Sequence, residues 1–303
     1  MQISTAPGAA ARPIGQTKPR GAGKSHLLPW LGRTVVVVGL GGWAATSLFP
    51  MYWMVITALK GPAEITALPP SMWVHVPTLA NLVYVFTAPV PFIRWLGNST
   101  IVSTSSTFGT LAICSSAGYS FARMRFRGRD AIFWSLIATM LVPGFSTLIP
   151  SYVWTQMLGL HDTYWVLILP SFASPFAVFL TRQFIVTLPS ELFDAGRVDG
   201  CSEFGLWWRI AIPLSQPVLA ALGTFVFVGS WNDFLWPLVV ISKLTMFTVQ
   251  VGVVTMQGFV QGAGPDYGTI MATALVLSIP PIVAFLFMQR YLVSGLTIGA
   301  IKG

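Results

Sequence analysis

Few side chains in this 303-residue sequence could do chemistry, and fewer stand together. Histidines occur at 26, 75 and 161 and cysteines at 114 and 201, too scattered for a metal-ligand spacing or a nucleophile–base pair. No metal site, no catalytic residue and no disulfide is expected. Gly23-Lys24-Ser25 ends like a phosphate-binding loop. That loop needs a glycine five positions before Gly23, where Lys18 stands, and a strand ahead of it. No cofactor is therefore expected in this chain. Asp233 is the one carboxylate inside a long apolar run, where an ionisable group is costly and must face a cavity or a partner. With Trp231, Asn232 and Trp236 it makes a mixed set: an aromatic face covers the apolar face of a pyranose, and amide and carboxylate take hydroxyls. These four are candidates for a substrate pathway. A helix–helix hydrogen bond is the equal alternative.

The second group is the polar interval 194–213, DAGRVDGCSEFGLWWRIAIP. Asp194, Asp199 and Glu203 are three of only nine acids, and Arg197 and Arg209 lie among them. Such an interval belongs in water. Ser190 is placed to cap a helix whose first turn holds Glu191 and Asp194, where the helix dipole favours acids. Gly200 allows a sharp bend. A second short helix carries Phe204, Trp207 and Trp208, and Pro213 marks the start of the next apolar run. Apolar side chains on a polar loop fit either a protein contact or an amphipathic helix lying on a membrane.

The elements that position these groups follow from composition. The chain is 54% hydrophobic and 9% charged, with a mean hydropathy of +0.72. Soluble domains carry about a quarter charged residues, so a solvated globular surface cannot be built from this stock. Charged residues punctuate apolar runs at 34–59, 95–122, 131–157, 164–186, 214–240 and 269–291. Each approaches or exceeds the roughly 20 residues a helix needs to cross a bilayer, and open sheet edges are not tolerated in lipid. The expectation is an all-α membrane protein with six transmembrane helices. Residues 1–29, rich in Ala, Gly, Pro and basic side chains, read as a disordered tail. Residues 30–303 form the membrane domain, whose first span stays uncleaved.

Net charge is +8, and the basic residues fall in short segments between runs, as membrane topology dictates. With the N-terminus in the cytoplasm, fourteen of the 17 Lys and Arg lie inside, including four arginines at 123–129, and only Lys60, Arg94 and Lys243 lie outside. Both termini and the 189–213 loop are then cytoplasmic.

The spacing of that loop resembles the coupling loop of ATP-binding-cassette importer permeases. There, Glu-Ala-Ala is followed three residues later by Gly and nine residues after that by Ile-x-Leu-Pro. Here Asp194, Ala195 and Gly196, then Gly200, then Ile210, Ile212 and Pro213 fill those places, with Asp for Glu, Gly for Ala and Ile for Leu as departures. FPMYWMVITALK at 49–60, Asn98-Ser99, AGYSFARMRFRGRD at 117–130, PSYVWTQMLGLHDTYW at 150–165, WNDFLWPL at 231–238 and the terminal GLTIGAIKG extend the likeness. Together they resemble the shorter permease subunit of the carbohydrate (maltose-type) group. The resemblance implies a cytoplasmic coupling helix between the fourth and fifth spans, in a bacterial inner-membrane permease for a sugar or sugar-like solute. It implies docking to an ATPase through Asp194, Ala195, Gly196, Val198, Asp199, Gly200, Phe204, Ile210 and Pro213, with a second contact at Gly299, Ala300, Lys302 and Gly303. It further implies a companion permease, two ATPase subunits that bind ATP and Mg, and an extracytoplasmic solute-binding protein. The rival expectation is a secondary transporter driven by an ion gradient through Asp233.

Overall fold

The computed structural model describes residues 27–260 and 266–300, and every element among them is helical. Residues 1–51 and 52–303 form two compact units. Helix α1 (Leu27–Ala58) begins three residues before the expected edge of the tail. In the first unit its valines 35–38, Leu40, Trp43 and Leu48 are exposed, as suits a lipid-facing surface.

The second unit opens with two short helices, α2 (Pro62–Ile65) and α3 (Ala80–Thr87), in the prolyl stretch expected to be a loop with short pieces. Asn81 ties it together by donating to the carbonyls of Ala58 and Lys60. Glu64 accepts from the His75 ring, the His75 backbone and Ser71; the His75 bond above all holds its carboxyl down to about 2.

Helix α4 (Phe92–Arg123) is the centre of this unit. It is long enough to span a membrane. It nevertheless lies outside the set of helices apolar enough to do so by composition, because serines and threonines fill one side of it. That side is buried: Ser103, Ser106 and Thr110 are closed off completely. Small residues let neighbouring backbones approach closely. A Cβ on Gly118 would stand 2.8 Å from Thr181 Cβ and 3.0 Å from the Arg182 backbone nitrogen, and one on Gly109 would fall inside the Phe172 ring.

Several neighbours are broken helices, which differs from the continuous spans expected over 131–157 and 214–240, whereas Tyr164–Val186 keeps the length and hydropathy of the expected fourth span despite a short break. The run 131–157 divides into α5 (Arg129–Ala138) and α6 (Leu148–Met157) around Pro143, and the two arms of that span are bent by 98°. The run 164–186 divides into α7 (Tyr164–Phe172) and α8 (Pro175–Val186), with the Ser174 hydroxyl capping α8 through the Ala177 N–H. Proline supplies no N–H and disfavours helix in the residue before it, which is why these breaks fall where they do. After α9 (Ser190–Val198), α10 (Glu203–Leu206) and α11 (Ile212–Leu214), the chain turns by 82° at Ser215 into α12 (Gln216–Trp231). The expected span 214–240 therefore ends at Trp231, and α13 (Leu235–Val240) is separate. Helices α14 (Val249–Val260) and α15 (Tyr267–Ala300) complete the unit. Among the described residues three stretches, Arg33–Ala58, Tyr164–Val186 and Tyr267–Arg290, can cross a membrane by length and composition, or five if each bent pair counts as one.

The start of α4 clamps the segment before α14. Trp95 Nε1 donates to the Leu244 carbonyl at 2.7 Å, Asn98 Nδ2 donates to Thr245 and Phe247, and Ser99 Oγ accepts from the Val249 N–H. Asp162, at a positive φ of 55°, accepts from the Ser242 and Lys243 N–H groups. Burial works against its charge, but those two amides hold the carboxyl below the usual carboxylate range.

The close approach of α4 and α8 gives a direct test. Gly118→Val is expected to cost about 1–3 kcal/mol through overpacking, read as a lower thermal midpoint in detergent. Gly97→Ala, which meets nothing within 4 Å, should leave the midpoint unchanged or raise it.

Candidate functional site

The polar interval folds as a compact arm on a hydrophobic base. Helix α9 begins at Ser190, but the expected side-chain cap is absent: Pro189 holds the cap position and makes no side-chain bond. What fixes the helix is its buried side. Phe193 sits with Tyr119, Ile185, Leu206, Trp207 and Ala211 in one core, and the Arg123 guanidinium lies 4.5 Å over its ring.

The end of α9 is closed by glycine. Gly200 has φ +81° and its N–H bonds to the Arg197 carbonyl, while the Cys201 N–H reaches the Gly196 carbonyl. This paired arrangement ends a helix with a left-handed residue, which glycine adopts without steric cost. Ser202 then caps α10 through the Gly205 N–H. The turn 207–211 is π-helical, next to Pro213, which cannot donate to the turn before it.

A chain of polar contacts ties the arm to α4. The Tyr119 hydroxyl donates to Glu203 Oε2 at 2.6 Å; Arg197 donates to Glu203 Oε1 and to Asp194 Oδ1, both at 3.0 Å. Tyr119 and then Arg197 hold the Glu203 carboxyl below the usual carboxylate range, against the cost of its partial burial. Glu203 in turn raises the Arg197 guanidinium above its ordinary value. Arg123 donates to the carbonyls of Ile185 and Leu188, where α8 hands over to α9. A cleft of about 770 Å³ lies alongside, lined by Arg123, Arg125, Arg129, Ser190, Asp194 and Arg197 among others.

The expected docking residues divide into two groups. Asp194, Ala195, Val198, Asp199, Gly200, Phe204 and Pro213 are exposed, with Val198 at 88% and Phe204 at 69%. Gly196 is buried and Ile210 half-buried, and they face each other: a Cβ on Gly196 would meet Leu206 and Ile210 side chains at 2.5 and 3.0 Å. Trp208 is exposed, whereas Trp207 belongs to the core. Gly299 and Ala300 are the last residues of α15; Lys302 and Gly303, like residues 1–26 and 261–265, lie outside the described residues.

The four pathway candidates separate as well. Trp231 is buried, stacks on Phe227, and donates to the Leu277 carbonyl; Trp236 donates to the Val166 carbonyl. Both indole N–H groups are thus used in packing. Asp233 accepts weakly from the Trp236 backbone N–H at 3.4 Å, and Asn232 is exposed beside Gln250. Sequence reasoning missed Tyr119 and Arg123 as supports of the arm. Both stand in the stretch AGYSFARMRFRGRD that carries the family likeness, but nothing in it names Glu203 or the Ile185 and Leu188 carbonyls as partners.

The profile of the family described as "Binding-protein-dependent transport system inner membrane component" matches residues 114–298, and the chain belongs to that family. The arabinooligosaccharides transport system permease protein AraQ of Halalkalibacterium halodurans is 33% identical over 285 residues, covering 92% of this chain and 98% of its own length. The sn-glycerol-3-phosphate transport system permease protein UgpE of Escherichia coli is 33% identical over 276 residues, covering 88% and 96%. A chain from the crystal structure of a bacterial ABC transporter involved in alginate import shares the fold, with a TM-score of 0.77 at 21% identity, covering 90% of this chain and 99% of that one. As the membrane component of such a system the protein is a non-catalytic inner-membrane subunit, and ATP hydrolysis belongs to a separate subunit.

Two measurements probe the arm. Gly200→Ala is expected to cost about 1–2 kcal/mol from left-handed strain alone, since nothing lies within 4 Å of its Cβ; Gly200→Asn should cost less. Thermal unfolding in detergent compares them. Because the folded pKa of Glu203 is depressed, its stabilisation is present above the ordinary glutamate range and is lost as pH falls through the depressed value. Hydrogen exchange at 201–206, corrected for intrinsic rate, should accelerate over that acid range in the wild type and show no such step in Glu203→Gln.

Proposed function

We propose that this permease carries a sugar or sugar-like solute across the inner membrane and takes its driving force through the 189–213 arm. The observation that carries the reading is the arm itself: exposed Val198, Phe204 and Trp208 on a base held by Tyr119, Arg123 and Phe193. A compact element with an exposed apolar tip suits the groove of a partner protein. A membrane-surface helix would need one continuous apolar face, whereas α9 and α10 are separated by a glycine turn and joined by the Arg197–Glu203 ion pair.

In this reading residues 30–303 form a six-span domain and 1–29 a tail, with both termini and the arm in the cytoplasm. Two ATPase subunits bind ATP and Mg, and one of them receives Asp194, Ala195, Val198, Asp199, Gly200, Phe204 and Pro213 directly. Gly196 and Ile210 act by bringing α9 against the segment 206–210. Gly299, Ala300 and Lys302 make a second contact. A companion permease completes the pathway, and a solute-binding protein meets the outer segments 59–94 and 241–268. The relatives named for arabinooligosaccharides and for sn-glycerol-3-phosphate support a hydroxyl-rich solute. A similar fold occurs in a transporter solved with an alginate pentasaccharide-bound periplasmic protein, at a TM-score of 0.60 and 15% identity. Trp231, Asn232, Asp233 and Trp236 stand as the pathway candidates, the tryptophans through their ring faces rather than their N–H groups. Family membership leaves the ion-gradient use of Asp233 without support.

Phe204→Glu and Val198→Glu should each reduce ATPase copurification with the tagged permease at least tenfold, a loss typical of a central contact. Thermal stability of the isolated chain should be unchanged, since both side chains are exposed. Full ATPase recovery with both variants would end the docking reading.

A further inference from the structure

We propose that α4 is a rod that carries movement of the 190–213 arm to the 242–249 segment at its other end, with Tyr119 and Trp95 as the positioning residues of the two joints. The inference rests on the docking reading of the arm. Its first support is stiffness. Helix α4 has 32 residues, a length of ~48 Å at 1.5 Å per residue, and no internal proline. Among the described residues the other two helices of that length contain prolines, Pro50 in α1 and Pro280 and Pro281 in α15. The spans on either side of the arm are interrupted at Ala173–Ser174 and bent by 82° at Ser215. Helices kink at proline and at breaks, so a push on the arm is dissipated in those spans and conserved in α4.

The second support is that both ends are jointed by side-chain hydrogen bonds to segments remote in sequence. At the arm, the Tyr119 hydroxyl donates to Glu203 and Arg123 donates to the Ile185 and Leu188 carbonyls. At the other end, Trp95, Asn98 and Ser99 hold Leu244, Thr245, Phe247 and Val249 through main-chain groups. Bonds to backbone move the segment itself. Trp95 is fully enclosed, and a Cβ on Gly252 of α14 would lie 2.2 Å from its ring, so this joint has no slack.

The test uses the assembled importer in nanodiscs with Lys243→Cys as reporter and Cys201→Ser to remove the half-buried thiol; Cys114 is buried. The rate of maleimide labelling is measured with and without ATP plus vanadate. In the parent complex the two rates should differ. Tyr119→Phe and Trp95→Phe each remove one hydrogen-bonding group and keep a ring in place, and each should shrink the ratio of rates about fivefold, the worth of one hydrogen bond. The double variant should fall no further than the weaker single, because both cut one linkage. Ser99→Ala repeats the far joint without disturbing the core. Equal rates in the parent, parent-like ratios in the three single variants, or a double variant showing the product of its singles would each overturn the rod. ATPase recovery, read in parallel, keeps the two readings apart. The Tyr119 and Trp95 variants should retain the ATPase, whereas retention by Phe204→Glu would sink docking itself.

Discussion

A helix as rich in hydroxyls as α4 can lie in a bilayer only if other helices cover it, and that constraint organises residues 52–303. Helices α7, α8 and α12 supply the cover, and glycines at 109, 118 and 223 set how near they come. Once α4 is enclosed, its two ends are fixed, and the segments they hold are fixed with them. The arm sits on Tyr119 and Arg123, and the 242–249 segment hangs from Trp95, Asn98 and Ser99. The helices around it are interrupted at Pro143 and just before Pro175.

The local parts of this arrangement were legible in the sequence. The spacing from Asp194 to Pro213 places a short helix, a glycine turn and a second short helix, and the chain folds that way, because each of those devices is decided within five residues. Gly200 is the clearest case, with its left-handed φ and paired amides. The cap at Ser190 was misplaced by one residue, since burial of Phe193 fixes the helix without it. Counting charge-free positions located the apolar runs but not their breaks, because a proline can begin a helix as readily as end one.

Nonlocal pairings were not legible. Tyr119 and Glu203 are 84 positions apart and Asn98 and Phe247 are 149 apart; nothing in either neighbourhood announces the partner. The same limit explains the tryptophans near Asp233. An exposed indole and one that donates to a distant carbonyl look alike in sequence, and both Trp231 and Trp236 proved to be the second kind.

The glycine turn at the tip of the arm has one further consequence. Between Ser190 and Leu214 the main chain is already committed: α9 is closed by two carbonyls of its own, α10 is capped by Ser202, and the Arg197–Glu203 ion pair spans the gap. A partner that grips this segment has little conformational entropy left to remove, so more of the contact energy is available as affinity. On the proposed docking reading, affinity and transfer of displacement would both draw on one preorganised backbone.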